Sequence, residues 1–279
     1  SGKSTLGNCM LKLINPTAGE VIFEGENILT KNKAMLKPFR RKAQLIFQNP
    51  YMSLNPRMKI YDILKEPFIV NGIKDKKQID ETIKKIVSLI GMQEEILNRY
   101  PHEFSGGQRQ RIAIARAIIL KPSFVVADEP VSALDVSIQA QIINLLIDLK
   151  KHLNLTMLFI SHDLSIIKYI SDRIAVMYLG KIVELAKSDE LYSRPLHPYT
   201  VSLLSSVPIP DPDKSSRRKL IALKGEIPNA SNIPSGCNFH TRCPKAKPEC
   251  ANINVKLQDT GNNHFCSCPF FAHLLQAHL

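Results

Sequence analysis

The chain has no apolar run long enough to cross a bilayer. Apolar stretches such as Ile112–Leu120 (IAIARAIIL) and Met157–Ile160 (MLFI) fall far short of the about 20 residues that a spanning helix needs. No internal repeat or low-complexity tract interrupts it, and no basic-then-apolar leader stands at its start, which is Ser1 rather than methionine. Six cysteines in 279 residues are too few for a disulfide scaffold, yet five of the six lie at or after Cys237, a clustering that asks for its own reason. What is present is a 44% hydrophobic composition, enough for a substantial core, in a length that suits two structural units. The net charge of +12 is carried by basic residues interleaved with acidic ones. That pattern fits a solvated surface or contact with an anionic membrane leaflet, and argues against nucleic acid as a partner.

Hydrophobic periodicity predicts an α/β chain. Residues Leu6–Ile14 repeat at helical spacing and should end at the Asn15-Pro16 stop. Ala18–Ile28 alternates as a strand, and Lys42–Gln48 reads as a second one. From Leu64 to Leu120 the pattern is mostly helical. Two short apolar runs, SFVVADEP and LTMLFISHD, flank the helical IQAQIINLLIDLKKHL. Strands alternating with helices predict a largely parallel sheet covered on both faces. Near Arg194 the texture changes to Pro195, Pro198, Pro208, Pro210, Pro212 and a charged DKSSRRK, so a boundary is expected there.

Ser1-Gly2-Lys3-Ser4-Thr5 is the closing half of the phosphate-binding loop Gly-x-x-x-x-Gly-Lys-[Ser/Thr]. At a helix start, Lys3 can reach β- and γ-phosphates, Ser4 can ligate Mg²⁺, and the helix N-terminus offers amide donors. FVVADE delivers Asp128 and Glu129 to a strand end, where the aspartate would support a metal and the glutamate would polarise an attacking water. Ser105-Gly106-Gly107-Gln108 opens a long helix with glycines that let backbone amides approach a phosphate. With "SALD" at Ser132–Asp135, Gln48 and His162 in the expected order, the chain resembles the ATP-binding subunits of ABC transporters.

The resemblance implies a P-loop ATPase fold with a mostly parallel sheet, an antiparallel β arm and a helical subdomain near residues 50–120, within an ATP-binding domain at 1–195. ATP and Mg²⁺ would be held by Gly2, Lys3, Ser4, Thr5, Gln48 and Asp128. Glu129 would activate water, and His162 would sense the γ-phosphate. Ser105 to Gln108 would complete the site of a paired ATPase subunit, identical or paralogous. FQNPYMSLNPRMKIYDILKEP, PLHPYTVSLLSSVP and the cysteine-rich tail narrow the resemblance to importers of oligopeptides, dipeptides and nickel, with SLNPRM leaning to the second of two paired ATPases. It implies two membrane permease subunits as partners, an extracellular peptide-binding protein acting indirectly, and a peripheral location on the cytoplasmic side of the membrane.

The same resemblance makes residues 196–279 a family-type extension, whose Cys237, Cys243, Cys250 and Cys268 follow the spacing C-x5-C-x6-C-x17-C. Some family members carry an iron–sulfur cluster there. Four thiolates suit [4Fe-4S] or tetrahedral zinc, and reduced thiols in a small domain are the third reading. Cys266 competes with Cys268, which the family's His-x-x-x-Cys ending favours through His264; Cys9 reads as a small core residue. The resemblance also places the first phosphate-loop glycines, a strand and an adenine-stacking aromatic residue before Ser1, so these 279 residues alone are expected to bind ATP poorly.

Overall fold

A computed structural model of the chain describes residues 1–49, 53–207, 221, 223, 225, 226, 228, 229 and 232–270. Pro208, Pro210, Pro212 and the charged DKSSRRK stretch, on which part of the expected boundary rests, lie outside the described residues. The chain divides into two compact units, one of Ser4–His162 and one that joins Ser1–Lys3 to Asp163–Leu279.

In the first unit, a parallel sheet has the order β3-β4-β5, formed by Ala43–Ile46, Phe124–Asp128 and Thr156–Ile160. The register runs from Ala43 opposite Phe124 to Asp128 opposite Ile160. Val125, Val126 and Ala127 of the central strand are fully buried, the mark of a strand covered on both faces. Helix α1, Lys3–Met10, packs on this sheet through Gly7, where an added Cβ would lie 3.0 Å from Val126 and 3.2 Å from Ile160. The helix stops at Met10, not at Asn15. Lys12 adopts a left-handed φ of 49°, and its ammonium donates to the carbonyls of Ile28 (3.2 Å), Leu29 (2.7 Å) and Lys31 (2.5 Å). That long-range capture of a lysine by a distant short 3₁₀ turn outweighs the local apolar periodicity.

The strand expected over residues 18–28 is instead a hairpin of β1, Ile22–Phe23, and β2, Glu26–Asn27. Glu24 (φ 49°) and Gly25 (φ 82°) supply the two left-handed residues that a tight two-residue turn requires. Helix α2, Leu36–Lys42, leads into β3, and Leu36 and Phe39 join Leu11, Ile28, Ala43, Val126 and Ile160 in one core cluster. Helices α3 (Ile60–Val70), α4 (Lys76–Leu89) and α5 (Gly106–Ile118) fill most of the stretch read as helical. Along α4 the buried positions Ile79, Ile83, Ile86 and Val87 keep helical spacing, and Asp75 caps the start by accepting from the Gln78 N–H at 3.1 Å. Helix α6, Val136–His152, connects β4 to β5.

The second unit contains helices α7 (Leu164–Ile170), α8 (Ser188–Ser193) and α9 (Pro198–Ser205), and an antiparallel sheet of order β6-β7-β9-β8. Its strands are Arg173–Tyr178 (β6), Lys181–Lys187 (β7), Gln258–Asp259 (β8) and Phe265–Cys266 (β9). Leu179 (φ 43°) and Gly180 (φ 77°) turn β6 into β7. β9, from the far end of the tail, pairs with β7 through Glu184 opposite Cys266. Phe239, fully buried, meets Tyr178 edge-on at 5.2 Å between ring centroids and Tyr199 at 5.3 Å.

Candidate functional site

The parallel register brings the C-terminal ends of β3, β4 and β5 side by side, the edge where sheets of this kind bind ligands. Gln48 follows β3 by two residues, Asp128 ends β4 with Glu129 next, and His162 follows β5 by two residues. Ser4, in the first turn of α1, donates its hydroxyl to Asp128 Oδ1 at 2.9 Å. Glu129 holds a left-handed φ of 47°, sparsely populated for a side chain of its size, and its N–H is fixed to the Ile160 carbonyl at 2.9 Å. Its two carboxylate oxygens have separate partners. Gln48 Nε2 donates to Oε2 at 3.2 Å, and His162 Nδ1 lies 3.2 Å from Oε1.

Four of the residues singled out in the sequence therefore meet at one sheet edge with Ser4. The His162 side chain keeps 69% of its exposure, so its long bond to Glu129 is open to exchange for a ligand oxygen. Thr5 is exposed on α1. Gly2 takes a φ of 93°, and Lys3 directs its ammonium to the Ser1 hydroxyl at 3.2 Å.

Ser105 caps α5 by accepting from the Gln108 N–H at 3.3 Å, while the Gln108 side chain accepts the Ser105 N–H at 3.0 Å. This reciprocal box fixes the helix start. A Cβ on Gly107 would stand 2.5 Å from Ile138 Cγ2, so this glycine is also required for close packing of α5 against α6. Asp135 caps α6 through the Ile138 N–H at 3.0 Å, and that bond, with one from Ser137, holds its carboxyl below the usual range.

Two family profiles match the chain: ABC transporter over residues 1–132, and Oligopeptide/dipeptide transporter, C-terminal region, over residues 183–250. A putative peptide import ATP-binding protein of Brucella ovis is 52% identical over 268 residues, covering 96% of this chain and 84% of that protein. The oligopeptide transport ATP-binding protein AppF of Bacillus subtilis is 49% identical, covering 97% and 83%. The chain belongs to the ABC transporter ATPase family. Among solved structures, the ATP-binding cassette MJ0796, a dimer bound to ADP and Pi, is 28% identical with a TM-score of 0.60, covering 67% of this chain and 81% of that one. Among the described residues, no helix of this ABC ATPase is long and apolar enough to cross a membrane.

The ABC ATPase also carries a second cluster, in its tail. Cys237, Cys243, Cys250 and Cys268 line one cavity of about 110 Å³, together with His197, His240, Lys245 and Lys247. Cys266 is not among the lining residues; it is fully buried on β9. Each lining sulfur faces a backbone N–H: Phe239 and His240 for Cys237, Lys245 for Cys243, Phe270 for Cys268, and Lys247, at 3.4 Å, for Cys250. Burial raises the Cys237 and Cys243 thiols and pushes Cys268 up to about 11, against those amides. Gly236 locks two of the segments. With φ 64° it lies so close to the Cys250 backbone that a Cβ would sit 2.4 Å from the Cys250 carbonyl oxygen, and the Cys237 N–H donates to that oxygen at 2.8 Å. Among the described residues, no three His, Cys, Asp or Glu side chains are disposed to hold a single metal ion.

Behind the cavity lies a network that the motifs did not reveal. Glu184, fully buried on β7, accepts the N–H groups of Leu196 at 2.7 Å and His197 at 2.9 Å, and pairs with His264 Nε2 at 2.7 Å. The only local signal is a glutamate inside the apolar IVELA. Burial lowers the His197 pKa to about 4, with Glu184 opposing, and its Nδ1 accepts the Tyr199 N–H at 3.1 Å.

Proposed function

We propose that this chain is the ATP-hydrolysing subunit of an importer of oligopeptides or dipeptides, working as a pair of ATPases on two permease subunits at the cytoplasmic face of the membrane. A separate peptide-binding protein would deliver the cargo. The observation that carries the reading is Glu129, held in a strained backbone between Gln48 and His162, beside the Ser4–Asp128 bond, in a chain about half identical to peptide-import ATP-binding proteins. Residues 1–195 form the ATP-binding domain in this reading and 196–279 the extension.

Ser4, Asp128 and Gln48 have the oxygen donors that suit Mg²⁺, which when bound supplies charge neutralisation at the phosphates. Gly2, Lys3 and Thr5 serve the phosphates at the α1 N-terminus. Glu129 orients the attacking water and polarises it by accepting a hydrogen bond. His162 exchanges its bond to Glu129 for one to the γ-phosphate. Ser105, Gly106, Gly107 and Gln108 present the capped α5 N-terminus to the nucleotide of the partner ATPase. Positioning and charge stabilisation then do most of the work, since phosphoryl transfer asks little covalent chemistry of the protein. The test is Mg²⁺-dependent ATP hydrolysis by the protein with its paired ATPase. Glu129→Gln should lower turnover by about 10²–10⁴-fold while ATP still binds; unchanged turnover would refute the assignment.

A second reading concerns the tail. The donor set, four thiols lining one cavity, is what supports a [4Fe-4S] cluster as the group they would hold. Cys237, Cys243, Cys250 and Cys268 would be its ligands, and the cluster when bound supplies a one-electron redox centre. Anaerobically purified protein should contain about four iron and four sulfide per chain and be brown; a colourless, iron-free protein with free thiols would sink this reading.

A further inference from the structure

The turn that carries Glu129 is strained, and part of its restraint comes from a residue that none of the motifs contains. β4 ends at Asp128, Glu129 holds its left-handed φ of 47°, and Pro130 follows, whose ring crowds the backbone of the residue before it. A backbone in that state persists only where its surroundings fix it. On one side the Glu129 N–H is tied to the Ile160 carbonyl. On the other, the Glu129 carbonyl accepts both the N–H of Ser132 at 3.2 Å and the Ser132 hydroxyl at 3.1 Å. Ser132 is itself exposed, so these two bonds last only if the loop around it is held from elsewhere.

Helix α6 supplies that hold. Asp135 is its N-cap, and helical side chains lean back toward the N-terminus, so the fourth residue, Gln139, reaches over the first turn to the loop before it. Gln139 Nε2 donates to the Val131 carbonyl at 3.1 Å and to the Leu134 carbonyl at 3.0 Å. Carbonyls only accept, so the nitrogen end of the amide, with its two hydrogens, is the end that fits between them. The Leu134 N–H also donates to the Val131 carbonyl, at 3.1 Å, which closes the loop on itself. One uncharged side chain thereby fastens both ends of residues 131–134 to the helix.

We propose that Gln139 is a positioning residue for ATP hydrolysis: its amide clamps residues 131–134 and, through Ser132, keeps Glu129 in the backbone state that sets its carboxylate between Gln48 and His162. Gln139 acts through the loop and not on the reacting atoms. The inference rests on Glu129 being the group that activates water.

The test measures kcat and KM for ATP on the whole protein with its paired ATPase, beside thermal unfolding. Gln139→Leu removes both donors, Gln139→Glu keeps the shape but offers acceptors to two carbonyls, and Gln139→Arg restores a pair of N–H donors. The expected result is a kcat lower by about 10–100-fold in Gln139→Leu and Gln139→Glu, the cost of a misplaced catalytic group. KM should be unchanged, and Gln139→Arg should recover most of the loss. In the Glu129→Gln background, Gln139→Leu should lower the residual single-turnover rate no further, because the carboxylate it positions is gone. Should Gln139→Leu not fold, Ser132→Ala reads the next link: losing the hydroxyl donor to the Glu129 carbonyl should lower kcat about threefold, and an unchanged kcat overturns the inference. Wild-type kcat in Gln139→Leu, a loss confined to KM, or a loss repeated in full on Glu129→Gln overturns the role of Gln139 alone. Unchanged turnover in Glu129→Gln itself overturns the assignment of Glu129 and this inference with it.

Discussion

Two sites in this molecule are built from the same kinds of side chain and held in opposite ways. At the sheet edge, Glu129 touches Gln48 and His162 through two bonds of 3.2 Å, and the histidine is mostly exposed. In the tail, Glu184 collects three donors at 2.7–2.9 Å, and neither it nor His264 or His197 reaches solvent. Long, wet bonds are cheap to exchange, and short, dry ones are costly to break. The first arrangement suits a site whose partners change during a reaction. The second suits a frame that must hold still around something else.

Four perturbations separate these roles, beginning with the largest effect. Glu129→Gln should cost hydrolysis about 10²–10⁴-fold and leave stability nearly unchanged, as measured by turnover beside thermal unfolding. Gly236→Ala should do the reverse. The new Cβ meets the Cys250 carbonyl in a left-handed backbone, costing the second unit about 3 kcal/mol. Thiol-reagent labelling of Cys237 and Cys250 should speed up accordingly, with the Glu129-dependent ATP hydrolysis retained.

Third comes pH. His197 has its folded pKa lowered to about 4 by burial, below an unfolded value of about 6.5, so the unfolded chain binds the extra proton between those values. Its contribution is present above pH 6.5 and is lost as pH falls towards 4, roughly 3 kcal/mol at most. Urea midpoints reporting on the second unit should fall between pH 7 and pH 5, and His197→Asn should flatten that slope. The smallest effect is Gly107→Ala, about 1 kcal/mol from the clash with Ile138 Cγ2. Ile138→Ala in the same chain should relieve it, a coupling that a double-mutant cycle in chemical denaturation would read.

The ease of reading these regions from the sequence differs for the same reason. Ser4, Gln48, Asp128, Glu129 and His162 sit at the ends of strands and helices whose periods are visible, and the parallel register then brings them together without further information. The strands at Ala43, Phe124 and Thr156 and the helices α3 to α6 fall where the apolar patterns put them. Local pattern fails where a distant partner decides. Helix α1 stops early because Lys12 finds carbonyls of residues 28–31, and the Ala18–Ile28 strand folds back at Glu24-Gly25. Glycine at 107 reads as a phosphate-approach residue, while its packing demand comes from Ile138 on another helix. Glu184 carries no spacing signature, since the His264 it meets lies 80 residues away, and the His-x-x-x-Cys spacing of His264 points to Cys268 and not to Glu184.

That last separation has a consequence for how the protein is made. β7 emerges during synthesis with one edge uncovered and a carboxyl group whose imidazole partner is still 80 residues from being translated. The loop between them must close before either gains anything, and the entropy of that closure is lost in one step. The thiol-lined chamber can therefore come into being only after the ribosome has delivered the β9 segment. Its completion reports that the chain has been read through to that segment.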